Sequence, residues 1–181
     1  MKKIIALALI AFLAGGTAFA QHHHGNCGNC PNHGKHQAQH TQSVQQPTVN
    51  ADGIDMVVVK AFPTVKSVKK DKKWTEVYDS NKKLLGYAVY SKPASDGIKG
   101  YAGETPVLIA LDAKKVITGV YLLPNAETPR FVQQVEANGF FNNWNGLTVK
   151  KALKKEVDAV SGATFTSRAV AQSVQAALKQ L

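Results

Sequence analysis

Between residue 41 and Leu181 the chain contains no histidine and no cysteine. That absence excludes, over the whole stretch, a Ser-His-Asp triad, a cysteine nucleophile and a His-ligated zinc. Redox or hydrolytic chemistry there has to come from carboxylates or from a borrowed cofactor. Cysteine is scarce throughout: two residues in 181 cannot staple a disulfide scaffold of this length. Acidic residues are also few, 12 against 22 Lys plus Arg, which leaves a net charge of +10. Long apolar runs are missing except for one at the amino end, and with a mean hydropathy of -0.17 a multi-pass membrane protein is excluded. The 44% of apolar residues nevertheless excludes a disordered polymer. The length suits one domain with additional segments.

Residues 1–20 read as an export leader. Lys2 and Lys3 form the positive start, Ile4 to Leu13 the apolar stretch, and Ala18-Phe19-Ala20 a small-x-small cleavage site. The competing reading is an uncleaved anchor, since the run from Ile4 to Ala20 approaches the lower length limit for crossing a bilayer. Gly15, Gly16 and Thr17 favour cleavage near Ala20, and the mature chain is then expected in a periplasm or secreted. Loss of Lys2 and Lys3 leaves 20 basic against 12 acidic residues, or +8.

Residues 21–52 are rich in His, Gln, Asn and Gly and nearly free of large apolar side chains, so the composition predicts a disordered tail and linker. His22, His23, His24, His33, His36 and His40, with Cys27 and Cys30 in a C-x-x-C, are candidate ligands for a transition metal. A plain spacer whose two thiols oxidise to each other accounts for the same residues. Pro31 after Cys30 disfavours haem attachment, and no strand precedes the motif as a thioredoxin site requires.

Residues 53–181 have globular patterning. Ile54, Val57, Val58 and Ala61 fall at helical spacing and Phe62-Pro63 ends the segment, although Val57-Val58-Val59 also suits a strand. Trp74 to Tyr78 and Leu84 to Tyr90 flank an Asp-Ser-Asn-Lys-Lys turn and predict one hairpin; Val107 to Leu111 and Val116 to Leu123 predict a second. Thr128 followed by Pro129 predicts a helix start, with an apolar stripe of Phe131, Val132 and Val135 ending near Gly139. A short helix around Val149 and Leu153 and a carboxy-terminal amphipathic helix carrying Val170, Val174, Ala177 and Leu178 complete the pattern. The expectation is a single α+β domain in which antiparallel β-hairpins form a curved sheet flanked by helices.

The stretch most suggestive of chemistry is Asp158-Ala159-Val160-Ser161-Gly162-Ala163-Thr164-Phe165-Thr166-Ser167. A hydroxyl-rich turn with a glycine, placed before the last helix, turns free N–H groups and the helix dipole toward a spot where a phosphate can sit. Ser and Thr before a helix are also ordinary caps, so spacing alone leaves both readings open.

That segment resembles the D-x-x-S-G-A-T-x-T-S flavinylation motif of FMN-binding domains, found in the flavinylated subunits of the sodium-pumping NADH:quinone oxidoreductase and of the Rnf complex. Leu84 to Val89, Gly100-Tyr101-Ala102-Gly103, Thr118-Gly119-Val120 and Glu127-Thr128-Pro129 follow the same family's order. The resemblance implies FMN joined by its phosphate to Thr164, with Ser161, Gly162, Ala163, Asp158 and Thr166 contributing to recognition or contact. It further places Glu127, Thr128, Gly100 and Tyr101 near the flavin, and implies a flavin transferase for maturation and a membrane or periplasmic redox partner. Two positions depart from the family: Arg130 stands where glycine is usual after Glu-Thr-Pro, and Ala102 replaces a common glycine.

The resemblance therefore implies an exported FMN-carrying electron-transfer protein more than a stand-alone enzyme. A metal-binding protein acting through the His/Cys arm and a flavin reductase with its own small substrate are the rival readings. Nucleic-acid binding is suggested by charge alone and opposed by export, and none is expected.

Overall fold

The computed structural model describes residues 48–181. The leader and all eight candidate metal ligands lie outside the described residues. Thr48 to Asp52, which composition assigns to the linker, belong to the edge of the domain. Met56 N donates to Thr48 O at 2.9 Å, and Lys66 pairs with Asp52 at 3.0 Å. Asn50 Oδ1 accepts from Asp52 N and Ile54 N at 3.0 and 2.9 Å, an Asx turn that apolar counting does not detect.

Helix α1 spans Met56–Ala61, so the three valines are helical. Asp55 caps it, its Oδ1 accepting from Val57 N at 2.8 Å, and Phe62 before Pro63 ends it because a residue preceding proline is driven out of the helical region. Five strands follow: β1 Ser67–Lys70, β2 Thr75–Tyr78, β3 Leu84–Tyr90, β4 Val107–Asp112 and β5 Ile117–Leu122. They form one antiparallel sheet in the order β1-β2-β3-β4-β5. Register shifts at Val77/Tyr78 and Ala110/Leu111 bend it, as an extra residue in one strand of a pair does. Two hairpin turns are built alike: Asp79 Oδ1 accepts from Asn81 N and Lys83 N, and Asp112 Oδ1 from Lys114 N and Val116 N. Strand β1 has no counterpart among the elements the sequence predicts. Its SVKK carries one half-buried residue among three exposed ones, too little alternation for a short edge strand to announce itself.

Beyond the sheet run α2 Pro129–Ala137, a 3₁₀ turn Phe140–Trp144 that the periodicity does not reveal, α3 Val149–Ala152 and α4 Thr164–Lys179. Both faces of β4 are covered, so Val107–Leu111 is buried without alternation. Val107, Ile109 and Leu111 pack in one core with Val170, Val174, Ala177 and Leu178 of α4. Leu108 and Ala110 pack in the other with Ile54, Val58 and Phe62 around α1. The fold is thus the α+β arrangement that the hairpins imply, with helices on both faces. No helix among the described residues is long and apolar enough to cross a membrane.

Candidate functional site

Three segments far apart in sequence meet at the start of α4, and one carboxylate joins them. Glu127, 6% exposed, accepts through Oε1 from Ala102 N and Gly103 N at 3.1 and 3.2 Å. Through Oε2 it accepts from the Thr166 hydroxyl at 3.1 Å. A buried carboxylate is tolerated only when its oxygens are saturated in this way. Gly100 and Gly103 open and close the loop, with Gly100 N donating to Gly103 O at 2.8 Å. A methyl on Gly100 would collide with Glu127 Oε1, which is why the loop opens on a residue without Cβ. Ala102 contributes its backbone N–H to Glu127, a role that alanine fills as well as glycine.

The turn before α4 is built with equal economy. Gly162 has φ +77, in the left-handed region, and a Cβ there would lie 2.6 Å from Gln134 Nε2. That amide donates to Ser161 O at 2.7 Å, so α2 holds the turn from the side. Ser167, buried, accepts from Val160 N and donates to Ala163 O, both at 3.0 Å, which closes the turn from within. Thr164 is the first residue of α4, so the second half of the motif forms the helix's first turn and does not precede it. No side chain caps α4, and its first N–H groups remain open to an external acceptor. The Thr164 hydroxyl makes only a long 3.5 Å approach to Val160 O and is half-buried.

A recess of about 280 Å³ opens over this turn, lined by Tyr101, Phe131, Phe165 and residues 162–166. Tyr101 is 64% and Phe165 66% exposed, an unusual display of aromatic surface, and Tyr101 meets Phe131 edge-on at 4.9 Å. The recess therefore offers apolar walls, a free hydroxyl and an uncapped helix start at one place. That set fits an aromatic group bearing a phosphate. A larger hollow of about 770 Å³ runs along another side of α4, past Trp144, Lys155 and Gln175, and contains none of the motif residues. Its size does not outweigh the chemistry collected around Thr164.

Residues 100–179 match the family model described as FMN-binding domain. These residues belong to the FMN-binding domain family. The sequence of the FMN-binding domain and its flanks is 29% identical over 151 residues to the G-type subunit of the Na(+)-translocating ferredoxin:NAD(+) oxidoreductase complex of Acetobacterium woodii, covering 76% of this chain and 70% of that relative. It is 27% identical over 132 residues to the G-type subunit of the proton-translocating ferredoxin:NAD(+) oxidoreductase complex of Clostridium ljungdahlii, covering 69% and 68%. Against the G-type subunit of the ion-translocating oxidoreductase complex of Aliivibrio fischeri the match is 29% over 90 residues, or 44% and 43% of the two chains. Among solved structures, Shewanella oneidensis NqrC aligns with a TM-score of 0.41 at 22% identity over 70% of each chain.

Within the FMN-binding domain the ten sequence candidates separate by position. Thr164, Gly162, Ala163, Thr166 and Tyr101 line the recess. Glu127, Gly100 and the Thr166 hydroxyl form the hub behind it, and Ser161 presents its carbonyl to Gln134. Thr128 sits at the backbone cap position of α2 but its side chain makes no capping bond, and Asp158 is exposed ahead of the turn. Arg130, the departure from the family, is exposed and outside the recess lining. Sequence reasoning missed Gln134, Phe131 and Phe165. Phe131 carried a signal only as part of an apolar stripe, and Phe165 occupies an unspecified place in the motif.

Proposed function

We propose that Thr164 Oγ1 carries FMN as a phosphoester and that the chain serves as an exported single-flavin electron carrier. One observation supports this most: a half-buried, weakly bonded hydroxyl at the uncapped start of α4, facing a recess walled by two exposed aromatic rings. In this reading the hydroxyl gives up its proton as the phosphorus–oxygen bond forms, with AMP leaving when a flavin transferase uses FAD. Bound there, the flavin supplies one- or two-electron chemistry. The chain's own groups do the rest. The first-turn N–H groups of α4 receive the phosphate oxygens. Tyr101 and Phe165, which line the recess, would flank the flavin ring, and Glu127 keeps the Gly100–Gly103 loop against α4. A recess of about 280 Å³ leaves much of a flavin uncovered, which suits contact with another redox protein more than retention of a small substrate.

The relatives' names describe subunits of complexes that translocate ions while acting between ferredoxin and NAD(+). By that likeness this chain exchanges electrons with a membrane or periplasmic redox partner, after the leader over residues 1–20 directs export. Spectroelectrochemistry of the purified holoprotein tests the carrier role. Reversible flavin reduction and rapid electron exchange with a redox protein are expected. Saturable turnover of one small molecule by the protein alone would contradict it.

A further inference from the structure

At the other end of α4 the chemistry is of a different kind. Lys114 and Lys115 from the β4–β5 turn and Lys150 from α3 line a recess of about 310 Å³ whose floor includes Trp74, Val149 and Leu181. Lys73 joins them from the β1–β2 turn, its Nζ donating to Leu181 O at 3.0 Å. Lys115 Nζ stands 4.3 Å from the Trp74 ring centroid and 5.8 Å from that of Tyr87, so its charge is held at the patch by the ring faces. All four lysines are exposed. Among the described residues none of the four pairs with a carboxylate side chain, whereas Lys66, Lys69 and Lys92 each do. Asp112 lies in the same turn, but its Oδ1 is engaged by the N–H groups of Lys114 and Val116 at 2.8 Å.

We propose that this end of the molecule docks on anionic phospholipid headgroups. Helix α4 has 16 residues, which at 1.5 Å per residue sets its two ends about 24 Å apart. A partner exchanging electrons with a flavin at Thr164 has to approach Tyr101 and Phe165, so exposed charge at the far end serves to hold and orient the molecule. The side chains also decide between partners. Recognition of protein carboxylates favours arginine, whose fork binds them bidentately. Here every cation is a lysine on a flexible stem beside a tryptophan, the combination suited to a headgroup layer without fixed partner geometry.

The surface is independent of flavin attachment, so the two proposals fail separately. The test is co-sedimentation of the purified holoprotein with phosphatidylglycerol/phosphatidylcholine vesicles and with pure phosphatidylcholine vesicles, flavin content and melting temperature being measured on the same samples. Binding only to the anionic vesicles, weakened by salt, is expected. Lys114→Gln/Lys115→Gln/Lys150→Gln should lower the partition coefficient by about 100-fold, roughly fivefold for each cation near the surface. Lys66→Gln/Lys69→Gln removes charge from paired positions and should lower it far less per cation. Equal losses per cation in the two variants, or no binding to anionic vesicles, would overturn the proposal. Binding to a polyglutamate peptide with vesicles inert would overturn it too, and would assign the patch to an acidic protein.

Discussion

Gly100, Thr166 and Thr164 lie close together in the same site, yet the structure gives them different duties. Gly100 leaves room for the Glu127 carboxylate, and a methyl there would also press on Thr166 Cα at 3.2 Å. Gly100→Ala is therefore expected to destabilise the domain by about 1–3 kcal/mol, the cost of overpacking, as read by urea denaturation. Thr166 is 1% exposed and donates to a buried carboxylate. Thr166→Val removes that charge-assisted bond while keeping the shape, and should cost about 1.5–3 kcal/mol in the same assay while leaving flavin attachment intact. Loss of the flavin from Thr166→Val, with the fold retained, would mean that the anchor is the wrong threonine. Thr164, with only its long approach to Val160 O, should show the reverse pattern: little effect on stability and complete loss of the adduct in Thr164→Ala.

Among the elements that support the site, the loop between β3 and β4 is the one whose strength depends on pH. Lys92 Nζ donates to Glu104 Oε2 at 2.6 Å and Gly97 N donates to Glu104 Oε1 at 3.0 Å, tying the ends of the segment that leads into Gly100–Gly103. The Lys92 hydrogen bond, with help from Gly97 N–H, holds the Glu104 carboxyl below the usual carboxylate value. The ionised form is thus favoured in the folded loop. Its stabilisation is complete above the ordinary carboxylate value and fades as pH falls through the lowered one. Hydrogen-exchange protection of Gly97 and Gly100 should decrease across that acid range, and Glu104→Gln should remove the pH dependence while lowering protection at neutral pH. The elements that define the site were legible in the sequence where a local rule governs them. The hairpin turns that each open on an aspartate, Pro129 at the start of α2, and the S-G-A-T block each carry their signal within a few residues. What was not legible depends on distance in the chain. Gln134 reaches Ser161 across 27 positions and Thr166 reaches Glu127 across 39, and no periodicity reports such a pairing. Strand β1 escaped because an edge strand is defined by its partner, Val68 opposite Val77, and not by its own SVKK.

Across the domain, α4 separates two kinds of surface, an aromatic recess at Thr164 and an exposed lysine cluster near Leu181 that pairs with no carboxylate side chain among the described residues. The candidate metal ligands from His22 to His40 fall before the described residues, and the domain edge begins with the bonds of Thr48 and Asn50. Deleting residues 21–47, and no further, should leave flavin loading and melting temperature unchanged. On the metal-binding reading of the arm it should abolish transition-metal uptake in calorimetry, whereas on the spacer reading calorimetry shows no uptake in either protein. A deletion that blocked flavin loading would make that segment part of the redox site. The proposed carrier role rests on the phosphoester proposed at Thr164, and fragmentation mass spectrometry of the tryptic peptide 156–168 from the holoprotein is its sharpest test. That peptide contains Ser161, Thr164, Thr166 and Ser167, so the fragment series discriminates among all four hydroxyls. A single FMN phosphoester on Thr164 is expected, absent from the same peptide of Thr164→Ala. An adduct on any of the other three hydroxyls, or flavin that is released from the holoprotein by acid precipitation, would contradict it.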